Sequence, residues 1–214
     1  MTSLQPLVLI VDDDVRVREA LRELLEAHGL AVATYGSAGD YARAAMPEGA
    51  ACLLLDVELP DINGLDLQAQ LAGGDHPPIV FITGHGDIPS SVRAIKHGAV
   101  DFLTKPFGEA ELLAAVQAAL AQDDRARAER AELRGLQGRY GSLTRREREV
   151  LPLIVSGLLN KQAAAELGLS EVTLQVHRRS VLRKMGADSL ADLVRMAQRL
   201  EIPITHSRRG ERQA

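Results

Sequence analysis

The chain has 214 residues, enough for two ordinary domains, and its 46% hydrophobic content against 3% aromatics demands aliphatic cores. The formal charge of −4 hides a division: residues 1–122 carry 7 Lys+Arg against 17 Asp+Glu, and residues 123–214 carry 18 against 12. An acidic half suited to cations is thus joined to a basic half suited to a polyanion. The lone Cys52 excludes an intramolecular disulfide, and the longest apolar runs, 7–11 and 52–55, are far too short to span a bilayer, so a cytoplasmic chain without membrane contact is expected.

In chain order, apolar runs predict strands over 7–11, 30–35, 51–55, 79–82 and 100–103. Between and after them, helical periodicity predicts helices over 15–28, 38–46, 64–71, 89–97 and 109–121. Strand and helix in strict alternation imply a parallel, doubly wound α/β sheet with helices on both faces. Ligands of such sheets bind at the carboxyl ends of the strands, near the switch in strand order.

Those ends carry unusual chemistry. The first strand runs into Asp12-Asp13-Asp14, the third into Asp56, the fourth into Thr83-Gly84, and the fifth is followed by Thr104-Lys105-Pro106. Helix capping accounts for Asp14, ahead of the helix at Val15, but not for an acid, a hydroxyl and an ammonium on separate strands. Clustered carboxylates raise one another's pKa unless a cation is present, and an incomplete set of hard oxygen ligands suits Mg2+. The peptide before Pro106 reads as cis, which would help aim Lys105, with a trans bond in an ordinary turn as the alternative.

Val-Asp-Asp-Asp at 11–14, Leu-Asp-Val-Glu-Leu-Pro-Asp-Ile-Asn-Gly at 55–64, Ile-Thr-Gly-His-Gly-Asp at 82–87 and Phe-Leu-Thr-Lys-Pro-Phe at 102–107 resemble the flavodoxin-like receiver domain of two-component response regulators, over residues 5–122. The resemblance implies that Asp56 accepts a phosphoryl group from a sensor histidine kinase. It implies Mg2+ held by Asp13, Asp56 and the Glu58 carbonyl, with Asp12 acting through water. Lys105 and Thr83 would contact the phosphoryl oxygens, and Phe102 would turn inward with Thr83 as a switch. Any enzymatic activity would be limited to Mg-dependent autophosphorylation and autodephosphorylation. Dehalogenase-type phosphatases use similar residues but carry the nucleophile on their first strand, in an Asp-x-Asp pair, whereas Asp56 ends the third.

Residues 123–142 read as a charged linker, helical to about 136, with Gly135, Gly138 and Gly141 favouring a flexible break. Over 143–202 an all-α four-helix domain is expected, followed by a flexible tail over 203–214. Thr144 and Glu147 have capping-box spacing, Gly157 ends the first helix, and a second spans 161–167. Ser170 caps a third over 171–185, and a fourth begins at Ser189. A short helix, a tight turn and a longer basic helix describe a helix-turn-helix. On the third helix Leu174, His177, Val181 and Met185 share the expected core face, while Gln175, Val176, Arg179 and Arg183 share the outer one. Pro152 falls inside the first helix, where it should cost about 3 kcal/mol unless the helix bends.

Leu-Thr-Arg-Arg-Glu-Arg-Glu-Val-Leu at 143–151, Gly-Leu-Leu-Asn-Lys-Gln at 157–162, Leu-Ser-Glu-Val-Thr at 169–173 and Val176-His177 resemble the LuxR-type output domain. With the receiver motifs they resemble the NarL/FixJ group. The resemblance implies base contacts from Gln175, Val176 and Arg179, and phosphate contacts from Lys161, Arg178, Arg183 and Lys184. Gln175 stands where the group commonly has Lys. The implied partners are double-stranded promoter DNA, a second copy of the chain upon phosphorylation, and RNA polymerase as a further candidate.

Overall fold

The computed structural model describes residues 5–84 and 88–203, which fall into two compact units, 1–128 and 129–214. The tail assigned to 203–214 lies outside the described residues beyond residue 203, as do His85, Gly86 and Asp87 of the receiver motif. Among the described residues no helix is long and apolar enough to cross a membrane.

In the first unit the strands are β1 (Leu7–Val11), β2 (Ala31–Tyr35), β3 (Ala51–Asp56), β4 (Ile79–Thr83) and β5 (Asp101–Thr104). They form one parallel sheet in the order β2-β1-β3-β4-β5. The helices are α1 (Val15–Ala27), α2 (Ala38–Ala42), α3 (Gly64–Leu71), α4 (Ile88–Lys96) and α5 (Glu109–Gly141). Alternate strand residues face opposite sides. Val8, Ile10, Cys52, Leu54, Val80 and Ile82 pack under α1 and α5, through Leu25, Leu112 and Val116. Leu9, Val11, Leu53, Leu55 and Phe81 pack under α2, α3 and α4, through Tyr41, Leu65 and Ala94. Every residue of β3 is buried, as a central strand covered on both faces requires.

Helix α2 is shorter than its pattern suggests, and α5 is longer. Helical hydrogen bonding continues through Gly135 and Gly138 to Gly141, so the break expected at these glycines does not occur. Glycine in a helix costs only about 1 kcal/mol relative to alanine, and apolar anchors offset that. Leu136 is buried, and Tyr140 packs against the core of the second unit. Nor is the start of this segment purely a solvated face: Asp123 is buried and accepts the Ala51 N–H at 2.8 Å and the Arg127 Nε–H at 2.6 Å.

The second unit contains α6 (Arg145–Val155), α7 (Asn160–Leu167), α8 (Glu171–Met185) and α9 (Leu190–Arg199). The capping box at Thr144 and Glu147 is formed, with both reciprocal hydrogen bonds. Helix α6 runs unbroken across Pro152, whose carbonyl still accepts from the Ser156 backbone N–H and hydroxyl. Gly168 and Gly186 end α7 and α8 in left-handed conformations, with φ of 63° and 68°, which glycine adopts without a Cβ clash. Leu151, Ile154, Leu174, Val181, Met185 and Leu193 close one aliphatic core.

Candidate functional site

Sheet register gathers the acidic site. Val11 lies opposite Leu55, Asp56 opposite Ile82, and Thr83 opposite Thr104. The residues just past these positions therefore meet along one edge, where the order switches between β1 and β3. Asp12, Asp56 and Thr83 are buried while Asp13 is exposed, and the carboxylate oxygens of Asp12, Asp13 and Asp56 lie within 4.8 Å of one another. Lys105 Nζ bridges Asp12 Oδ2 at 2.6 Å and Asp56 Oδ2 at 2.8 Å. The Glu58 N–H donates to Asp56 Oδ1 at 3.0 Å, so both oxygens of that carboxylate are held. The Lys105–Pro106 peptide is cis, as expected. Asp14 caps α1 through Arg16 N, and its own N–H donates to Asp12 Oδ1 at 2.9 Å.

The electrostatics balance burial against pairing. Burial pushes the Asp12 carboxyl above the usual range, and the hydrogen bond and charge of Lys105 only partly offset it. For Lys105 burial acts downward, yet the two carboxylates outweigh it and raise the ammonium further above neutrality. Lys105 is therefore a fixed positive charge. An open cleft of about 480 Å³ lies over these groups, lined by Asp13, Glu58, Leu59, Pro60 and Gly84 among others.

In the second unit, α8 buries Leu174, Val181 and Met185 completely. The opposite face presents Gln175, Val176, Arg179 and Arg183 to solvent, with Val176 61% exposed. Lys161 is exposed on α7. A basic helix preceded by a short helix and a tight turn is a shape suited to a DNA major groove.

Residues 8–117 match the response regulator receiver domain, and residues 141–197 match the bacterial regulatory proteins of the luxR family. The chain is 47% identical to nodulation protein W of Bradyrhizobium diazoefficiens, covering 96% of this chain and 91% of that one. It is 46% identical to the response regulator protein TodT of Pseudomonas putida, covering 94% and 89%. The solved structure of the response regulator StyR is 45% identical with a TM-score of 0.80, covering 91% and 98%. The chain is a LuxR-type response regulator. It belongs to the transcription-regulating branch of two-component systems, with a receiver fold followed by a helix-turn-helix domain.

Within this response regulator, Asp12, Asp13, Asp56, Glu58, Thr83 and Lys105 converge on one edge. Phe102 is half-buried on β5, its ring 6.0 Å from that of Phe81. Packing within the second unit engages two of the expected phosphate contacts of α8 and shifts one residue of its expected core face. Lys184 is paired, its Nζ 2.7 Å from the buried Glu147 carboxylate. Arg178 is half-buried and donates to Asn160 Oδ1 at 3.1 Å. His177 is half-buried at the flank of the core, not within it.

Three contributors escaped the sequence reading. Gly64 packs so tightly that a Cβ there would lie 2.4 Å from the Asp56 carbonyl oxygen, and its N–H donates to Val57 O at 2.8 Å. Asp61 accepts the Ala38 and Gly39 N–H groups at 3.3 and 2.8 Å, tying the loop after β3 to the start of α2. Arg18 Nη1 donates to the carbonyls of Asp12 and Asp13 at 2.6 and 2.9 Å, bracing the loop that carries both acids. Gly64 lies within the receiver-like motif at 55–64; the Asp61 contact depends on two loops meeting in space, and the Arg18 contact on a side chain of α1 turning back to the loop before it.

Proposed function

We propose that Asp56 is the phosphoacceptor of this response regulator and that its modification controls DNA binding by α8. The observation that carries this reading is the Lys105 bridge between Asp12 and Asp56, beneath an open cleft large enough for a phosphoryl group. A carboxylate oxygen of Asp56 attacks the phosphorus of a phosphohistidine on a sensor kinase. The P–N bond breaks, the imidazole leaves, and an acyl phosphate remains on Asp56. Lys105 contributes fixed positive charge toward the phosphoryl oxygens, and the Glu58 N–H keeps the carboxylate from rotating away. The donor set suits Mg2+: Asp13, Asp56 and the Glu58 carbonyl are hard oxygens, with Asp12 beside them. When bound, Mg2+ neutralises charge on the transferring group. Thr83 and Phe102 carry the change from the site to the surface of α4 and β5.

In this reading phosphorylation favours a dimer whose two α8 helices enter successive major grooves of promoter DNA, and RNA polymerase is a further partner. Gln175, Val176 and Arg179 contact bases, while Lys161, Arg178, Arg183 and Lys184 contact phosphates, Arg178 and Lys184 from within their pairs with Asn160 and Glu147. The protein works in the cytoplasm, where the kinase domain and promoter are both accessible. Mass spectrometry after incubation with acetyl phosphate and Mg2+ is expected to find a hydroxylamine-labile phosphoryl adduct on Asp56. No adduct, or one that persists in Asp56→Asn, overturns the assignment.

A further inference from the structure

We propose that Val172 is a specificity-determining residue of the DNA interface, reading the 5-methyl group of a thymine about one helical turn along α8 from the base met by Val176. This inference rests on the proposed DNA contact by α8. Val172 is 72% exposed, and Val176 is 61% exposed. An apolar side chain at the first turn of a helix gains nothing from that exposure in the free protein. Its place on the helix gives it a partner. At about 100° per residue, Val172 lies within about 60° of Gln175, Val176, Arg179 and Arg183, on the stripe diametrically opposed to the buried Leu174, Val181 and Met185.

The capping geometry makes Val172 the available reader at this end of the helix. Ser170 and Thr173 hold each other: Ser170 Oγ accepts the Thr173 N–H at 3.1 Å, and the two hydroxyls lie 2.8 Å apart. Both are committed to the cap. Recognition helices present their N-terminal residues to base edges, and in the major groove the thymine methyl is the apolar feature of the four-base code. Arg179 and Arg183 on the same stripe, in a half of the chain with 18 basic against 12 acidic residues, select a polyanion over an apolar protein surface as the occupant. Two valines one turn apart then form an apolar pair within a polar, basic face.

The test begins with in vitro selection of a binding sequence using the full-length protein, phosphorylated with acetyl phosphate. Each thymine of the selected site is then replaced by deoxyuracil, which removes only the methyl. Replacement at the critical thymine should weaken binding about fourfold in each half-site, the worth of one buried methyl. Val172→Ala should bind the thymine and deoxyuracil forms equally at that position while remaining sensitive at the one read by Val176. If every methyl-sensitive thymine stays sensitive in Val172→Ala, or the site has no methyl-sensitive thymine beyond the one read by Val176, the proposal is overturned while α8 remains the DNA-binding helix. Failure to select any sequence refutes the DNA contact itself, and this inference with it. Because Val172 is exposed, its truncation leaves the core of the second unit intact, which matching thermal denaturation of variant and parent will verify.

Discussion

Residue 64 shows how little room surrounds the reactive carboxylate. A methyl group there would meet the Asp56 carbonyl oxygen at 2.4 Å and Val57 Cα at 3.0 Å, and backbone cannot yield as a flexible side chain can. Gly64→Ala should therefore destabilise the receiver by about 1–3 kcal/mol, as overpacking does. It should also slow acetyl-phosphate modification of Asp56 more than its loss of stability explains, because the displaced strand end carries the nucleophile. Urea denaturation and the modification rate, measured on the same full-length preparation, check both expectations. At this scale the acids, Thr83 and Lys105 were legible because strand ends in a doubly wound sheet share an edge. Arg18 and Asp61 were not: Arg18 folds back from α1 onto carbonyls five and six residues earlier, and Asp61 reaches the backbone of a loop 22 and 23 residues away.

Among the elements, α6 and α8 are joined by a buried charge. Glu147 is 4% exposed and accepts from Thr144 N at 2.7 Å, Ser180 Oγ at 2.6 Å and Lys184 Nζ at 2.7 Å. Burial acts to raise its pKa, but Lys184, Ser180 and Thr144 outweigh it and hold the carboxyl at about 2, below its ordinary 4.5. A carboxyl depressed on folding stabilises the native state fully above its unfolded pKa and loses that contribution as pH falls through the folded one. The helix-turn-helix unit should accordingly weaken between pH 4.5 and about 2. Glu147→Gln should be less stable at neutral pH by about 1–3 kcal/mol and lack this acid-sensitive component, as followed by circular dichroism during urea titration. The capping-box spacing revealed the role of Glu147 at the helix start. Its pairing with Lys184 depends on how α6 packs against α8, which is why Lys184 reads as a free surface cation in the sequence.

For the whole molecule, the proposed coupling is between modification of Asp56 and the affinity of α8 for DNA. Couplings of this kind are worth about 1–3 kcal/mol, or about five- to 150-fold in affinity. Acetyl phosphate with Mg2+ should therefore raise both the dimer fraction in sedimentation and the affinity for a selected DNA site, and Asp56→Asn should respond in neither measurement. Unchanged affinity in a protein shown to carry the phosphoryl group would separate the receiver from the output domain and end the switch account.

Chain order, hydrophobic period and the residues at strand ends sufficed for the two-domain organisation, the parallel sheet, the acidic site and the outward stripe of α8. All are set by local spacing, because a period of two or of 3.6 decides which side chains share a face. Packing decided the rest. It carried α5 through its glycines, drew Lys184 onto a buried carboxylate, closed Gly64 against the Asp56 backbone and left Val172 uncovered. Each of those outcomes turns on which distant surface a residue meets, a balance of burial against pairing that exists only once the chain has folded.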